Sequence, residues 1–192
     1  MEQQISNAAE IQGGAFGVKF IDPQTVIAQL EIKSGMKIAD FGCGAGFFSL
    51  ALAQKIGKEG IVYAFDVLPE KLETVQSQAK NLGLTNILTK RANLELDHGS
   101  NLQEGSMDWV IIKDMLFQNT HKEKIIIEAK RVLNNAGKIL AIEWKVEDTS
   151  IGPGKELRIS KENLIELAQQ NGLGVLNKVE VGDFHYGLIL IK

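Results

Sequence analysis

The sequence predicts an α/β fold: a doubly wound, mostly parallel sheet of seven strands, with helices on both faces and an antiparallel hairpin strand at the C-terminus. Three observations lead there. Short apolar runs of the kind found in buried strands alternate with helical segments, the pattern of linked βαβ units. The first run, Met36 to Ala39, passes through Asp40 into Gly42-Cys43-Gly44-Ala45-Gly46 and then a helical segment from Phe47. The second, Ile61 to Phe65, is continuously apolar and ends at Asp66, as a fully buried parallel strand would.

The elements follow in order. Pro23 to Glu31 carries Val26, Ile27 and Leu30 at helical spacing. A strand is expected at 36–41, a helix at 46–55 ending near Gly57, and a strand at 61–66. A helix at 69–82 is stopped by Gly83, and a third strand follows at about 86–91. A polar loop covers 93–107. The fourth strand is 108–113, the next helix 121–133, and the fifth strand 138–145. Ser160 reads as the N-cap of a helix ending at Asn171-Gly172. Two last strands, about 175–181 and 186–191, form the hairpin. Right-handed crossovers restrict how these units connect.

The glycine loop carries the first chemical signal. Glycines at alternate positions 42, 44 and 46 permit a tight turn and let a ligand approach the backbone. The helix behind them directs free N–H groups and a positive dipole end into the crevice. The dinucleotide fingerprint places its third small residue three positions after the second glycine. Here that position is Phe47. Asp66, 20 residues after Gly46, lies where a βαβ unit carries its ribose-binding carboxylate. Its structural alternative is a solvated strand-end aspartate capping the helix that begins near Pro69.

Strand, Asp40, glycine loop and helix together resemble motif I of the class I S-adenosylmethionine-dependent methyltransferases, which have a Rossmann-like seven-stranded sheet. The resemblance runs from about Ile32 to Lys145 and is strongest to the compact small-molecule group that includes the ubiquinone/menaquinone and arsenite enzymes. It implies methyl transfer from S-adenosyl-L-methionine, with S-adenosyl-L-homocysteine as product. It also implies a set of cofactor-binding residues. Asp40, Gly42, Cys43, Gly44 and Gly46 would meet the methionine end, and Asp66 and Val67 the ribose and the ring. Asn93 stands where the family usually has an acid that contacts the adenine amino group, and its carbonyl can accept the same hydrogen bond. Leu94 would wall the ring, and Lys113 closes the fourth strand. Arg131-Val132-Leu133 to Gly137-Lys138 resembles the family's helix-to-strand turn without its usual proline and first glycine.

Composition bounds the alternatives. With 44% apolar and 23% charged residues, the 192-residue chain reads as one globular domain. Residues 1–35 form an arm and helix partly covering the cofactor, and 36–192 form the core. Apolar runs are too short to span a bilayer, and the N-terminus lacks a basic, then hydrophobic, leader, so a cytoplasmic protein is expected. A single cysteine and three histidines exclude a cysteine-based metal site. The lone thiol also argues against arsenic as the acceptor. A net charge of −3 with no basic run argues against nucleic acid. The motif that nucleic-acid enzymes carry after strand four is replaced by Lys113 to Phe117.

Ligands of such sheets bind beyond the carboxyl ends of the parallel strands. A parallel sixth strand would bring the hairpin tip, Gly182 to Tyr186, to the cofactor rim. Three more loops share it: Gln118 to His121, the Glu147 to Arg158 connection, and the arm around Phe16 to Ile21. The Ser150 to Gly154 segment is flexible enough for a lid. His185 and His121 are the candidate catalytic bases, because histidine titrates near neutrality. Glu143, Arg158, His185 and Tyr186 are the candidate acceptor-binding residues. The larger small-molecule enzymes insert helices over the acceptor, which this chain lacks. Either the acceptor is small and partly exposed, or a second copy covers it in a homodimer. Two other classes share the sheet: a non-catalytic cofactor-binding or partner subunit, and an NAD-dependent oxidoreductase, against which Phe47 argues.

Overall fold

The computed structural model describes residues 18–147 and 151–192. Seven strands form one sheet in the order β3-β2-β1-β4-β5-β7-β6. Their ranges are β1 Lys37–Phe41, β2 Ile61–Asp66, β3 Ile87–Arg91, β4 Met107–Lys113, β5 Leu133–Trp144, β6 Gly174–Val179 and β7 His185–Ile191. The helices are α1 Pro23–Ala28, α2 Phe47–Ile56, α3 Pro69–Asn81, α4 Lys122–Val132 and α5 Lys161–Gln170. Strands β1 to β5 pair in parallel, and β7 runs antiparallel to both β5 and β6. The order reverses direction between β1 and β4, the switch point where α/β sheets hold their ligands.

Alternation along the strands builds two cores. Val110, Ile112, Ile139 and Ala141 face Ile125, Ile126 and Ala129 of α4 and Leu164 and Ala168 of α5. Their chain neighbours Trp109, Ile111, Leu140 and Ile142 face the other way, onto Val26 and Ile27 of α1 and Phe48, Leu52 and Ile56 of α2. Both faces of the central strands are therefore buried, which is why they read as unbroken apolar runs. Leu72 and Val75 of α3 pack on Ala64.

The element order matches the sequence expectation, and the departures have local causes. α1 ends at Ala28, not Glu31, because Gln29 caps it with its N–H on Val26 and Ile27 and binds the Glu180 carbonyl through its side chain. β5 begins at Leu133, immediately after α4, and its register against β4 jumps between Met107 and Trp109. The extra residues are held by Asn134, whose Nδ2 donates to Asp108 at 2.8 Å and whose Oδ1 accepts from the Ala136 N–H. Ser160 caps α5 by accepting from the Asn163 N–H at 3.1 Å. Two short 3-10 turns, Leu116–Gln118 and Lys155–Leu157, carry no apolar period in the sequence to announce them.

Candidate functional site

The glycine loop leaves the end of β1 with Gly42, Gly44 and Gly46 all at positive φ, +73°, +51° and +86°. Two of them also leave no room for a side chain. A Cβ on Gly46 would lie 2.7 Å from Val75 Cγ2, and one on Gly42 3.2 Å from Met115 Sδ. Gly44 has open space where its Cβ would be. Gly46 thus makes the close approach between loop and α3. Phe47, the next residue, is turned outward and is 71% exposed.

Two carboxylates flank the loop. Asp40 is buried at the end of β1 and accepts from Ser49 Oγ at 2.5 Å. Burial pushes its carboxyl up to about 6, against the pull of the Ser49 hydrogen bond and the Lys113 charge. Asp66, at the end of β2, accepts from the Gly44 N–H through Oδ2 and from the Leu68 N–H through Oδ1, each at 3.0 Å. One oxygen ties down the loop and the other starts the chain toward α3. Each retains a lone pair for a ligand. Cys43, buried in the loop, has its thiol pushed up by burial and by the Asp40 and Asp66 charges.

These residues border a cavity of about 500 Å³, within the roughly 300–1,000 Å³ of small-molecule sites. Asp40, Gly42, Cys43, Gly44, Asp66, Val67, Leu94 and Lys113 line it. Gly46 is not among its lining residues. Asn93 does not line it: its side chain is exposed, and its Oδ1 accepts the Glu95 N–H at 3.0 Å in a local turn. Ala92 lines the wall from that segment alongside Leu94. Gln118 and Asn119, from the rim loop that the sequence points to, also line the cavity, as do Lys71, Asp114 and Met115, which are not among the sequence-predicted site residues. For Asp114 the only sequence signal was a second charge beside Lys113 at a strand end.

The expected acceptor residues divide. The hairpin tip stands at the same end of the sheet as the glycine loop, because His185 pairs with Trp144 at the end of β5. His185 is buried, packs on the Trp144 ring at 4.0 Å between centroids, and places Nε2 3.0 Å from Asp114 Oδ1. It touches a cavity residue without lining the cavity itself. Glu143 is fully buried, and its Oε1 accepts the N–H groups of Met115 and Leu116, fixing the loop after β4. Burial pushes its carboxyl up to about 7. Tyr186 donates to the Ile159 carbonyl at 2.9 Å.

Arg158 is drawn into the 151–158 loop, donating to the carbonyls of Lys145, Glu147, Ile151 and Pro153 at 2.9–3.0 Å. Its guanidinium organises backbone, with Trp144 beneath it at 5.7 Å. His121 is exposed at the start of α4, its Nδ1 3.5 Å from Glu123, away from the cavity. Among residues 18–35 none lines the cavity; the Lys19 N–H donates to the Asp183 carboxylate, the Asp183 N–H donates to the Lys19 carbonyl, and Phe20 packs on Phe184. The rest of the arm, Asp148 and Thr149, and Ser150 of the lid segment lie outside the described residues. Among the described residues, no group of His, Cys, Asp and Glu is arranged to hold a metal, and no helix is long and apolar enough to cross a membrane.

A parallel sheet with a glycine loop at its switch point, flanked by strand-end carboxylates, defines a nucleotide-type binding protein of the doubly wound class. Comparison with known proteins narrows it: residues 32–182 match the family described as methyltransferase domain. The chain belongs to that family, the one its sequence resembles. It is 32% identical over 138 residues to the ubiquinone/menaquinone biosynthesis C-methyltransferase of Blochmanniella floridana, covering 71% of this chain and 53% of that protein. To the demethylmenaquinone methyltransferase of Geobacillus kaustophilus it is 27% identical over 124 residues, 62% of this chain and 50% of the other. The chain spans about half the length of these curated relatives. A crystal structure of a SAM-dependent methyltransferase from Aquifex aeolicus superposes with a TM-score of 0.82 at 28% identity, covering 90% of this chain and 91% of that one.

Proposed function

We propose that the protein transfers a methyl group from S-adenosyl-L-methionine to a small-molecule acceptor by in-line displacement. The observation that carries this reading is the pair of carboxylates, Asp40 and Asp66, at the ends of adjacent strands with the glycine loop between them. The site fits the cofactor by its donor set. Buried Asp40 suits the cationic methionine end, since a cation beside it offsets the cost of burying its charge. Asp66 has one free lone pair on each oxygen for the two ribose hydroxyls. Val67 and Leu94 offer apolar walls to the ring. When bound, the cofactor supplies a methyl group already activated on a sulfonium, so the chain has to align an acceptor and exclude water.

The acceptor side is the loop after β4, where Asp114, Gln118 and Asn119 meet the cavity. The named activities of the relatives, on quinone-type molecules, support an acceptor of modest size. Phe47, Val67 and Leu68 form an apolar rim, exposed by 71%, 51% and 45%. A second copy of the chain covering that rim is part of the proposal, as is a cytoplasmic location. The test is transfer of labelled methyl from the cofactor to a panel of small hydroxylated, amine and quinol acceptors, with light scattering for the oligomer. Label moving to at least one acceptor is expected. Cofactor binding without transfer to any acceptor would favour a non-catalytic binding subunit.

A further inference from the structure

We propose that Asp114 is the acceptor-recognising residue of this cavity, selecting an uncharged acceptor group that donates a hydrogen bond, and that His185 is its positioning residue. The inference rests on the methyl-transfer reading and assigns the side of the site that the sequence left open.

Asp114 is the first residue past β4, one strand from the glycine loop, and it lines the cavity. Its φ is +51°, a left-handed conformation that a side-chain-bearing residue adopts only when its surroundings hold it there. They do so at three points. Its N–H donates to the Ile142 carbonyl at 2.9 Å, and its own carbonyl accepts from Gln118 Nε2 at 3.1 Å. Its carboxylate sits between two cationic or donor groups, Lys113 Nζ on Oδ2 and His185 Nε2 facing Oδ1.

The two faces of the carboxylate differ. Oδ1 and His185 Nε2 are both buried and lie 3.0 Å apart, an ion-pair contact without the alignment of a hydrogen bond, and among the described residues neither has another polar partner. That contact fixes the carboxylate's orientation and leaves Oδ2, beside Lys113, for the cavity. His185 in turn is held by the Trp144 ring. It is more than nine-tenths buried, does not line the cavity, and meets the cavity lining at Asp114.

Charge decides the ligand class. Asp40, Asp66 and Asp114 line the cavity with Lys71 and Lys113, and Lys113 is already paired to Asp114. Lys71, which has no carboxylate partner among the described residues, stands on α3 after β2, with β1 between it and the Asp114 side, so an anionic acceptor head at Asp114 would meet a carboxylate and an already paired lysine. A hydroxyl or N–H would meet an oriented, charged acceptor oxygen, the stronger kind of hydrogen bond.

The test needs no knowledge of the natural acceptor. S-adenosylhomocysteine binding is measured first by calorimetry; its failure would overturn the methyl-transfer reading itself. The saturated protein is then titrated with phenol, aniline, toluene and benzoate while the backbone amides of Asp114 and Gln118 are followed by NMR. Phenol and aniline should move these amides and bind at least about fivefold more tightly than toluene or benzoate. Asp114→Gly, which suits the left-handed φ, should erase that preference while cofactor affinity stays within about twofold. His185→Gln keeps a donor toward Asp114 and should retain the preference. His185→Phe keeps a ring on Trp144 without the donor and should lose most of it, an outcome that a purely packing role for His185 does not give. Benzoate binding as well as phenol, no fragment moving the Asp114 region, or a preference that survives Asp114→Gly would each overturn the proposal.

Discussion

Asp40, the proposed partner of the cofactor's cationic end, works against the fold that carries it. Its carboxyl lies at about 6 in the folded chain and near 3.8 when exposed, because burial disfavours its charge. The folded state therefore holds the proton more tightly. The contribution is most favourable below about 4 and is lost as pH rises through 6. Glu143, raised from 4.5 to about 7, adds to the same trend. Asp114 is lowered: burial would raise it, but His185 and Lys113 outweigh that, so its contribution changes only below the ordinary carboxylate range. Stability of the ligand-free protein is thus expected to fall between about pH 4 and 7. Asp40→Asn should be more stable than the wild type at pH 8, by on the order of 3 kcal/mol, with little difference at pH 3. Denaturant titrations at the two pH values check this. Wild-type cofactor affinity should weaken below pH 6, as Asp40 takes up a proton in competition with the cationic end.

At the scale of elements, the glycine loop separates structure from ligand. Gly46→Ala meets both an unfavourable φ and Val75 at 2.7 Å, and should cost roughly 2–4 kcal/mol of stability. Gly44→Ala meets only the φ, because its Cβ would stand in open space. It should cost about 1 kcal/mol, yet place a methyl group into the cavity and weaken cofactor binding more than its stability loss explains. Thermal unfolding beside calorimetry distinguishes the two. The 151–158 loop offers a contrast, since its order rests on one guanidinium. Arg158→Ala should raise hydrogen exchange across the loop and leave cofactor affinity unchanged; an unaltered exchange pattern would mean that the loop has another anchor.

For the whole molecule, what the sequence made legible is what local pattern encodes. Buried parallel strands are apolar throughout, so β1, β2 and β4 are readable as runs, and the spacing from Gly46 to Asp66 follows from the length of one βαβ unit. Residues whose roles depend on distant partners were not readable. Asp114 gains its position from a left-handed φ and from His185, 71 residues later in the chain. Asn93 spends its carbonyl on the turn it starts, and Arg158 is used by the carbonyls of its own loop. Glu143 and Tyr186 are likewise bonded to backbone groups, so four residues that read as ligand contacts have backbone partners.

The central claim is that the cavity at the carboxyl ends of β1, β2 and β4 holds a nucleoside with a methionine-type tail, bound through Asp40 and Asp66. Calorimetry of S-adenosylhomocysteine and of NAD against the wild type and Asp66→Ala tests it most directly. S-adenosylhomocysteine should bind, NAD should not, and Asp66→Ala should lose at least about tenfold in affinity while remaining folded, since it removes charge-assisted hydrogen bonds worth roughly 1.5–3 kcal/mol each. Tight NAD binding with no response to the sulfur compound, or full affinity in a folded Asp66→Ala protein, would contradict the claim.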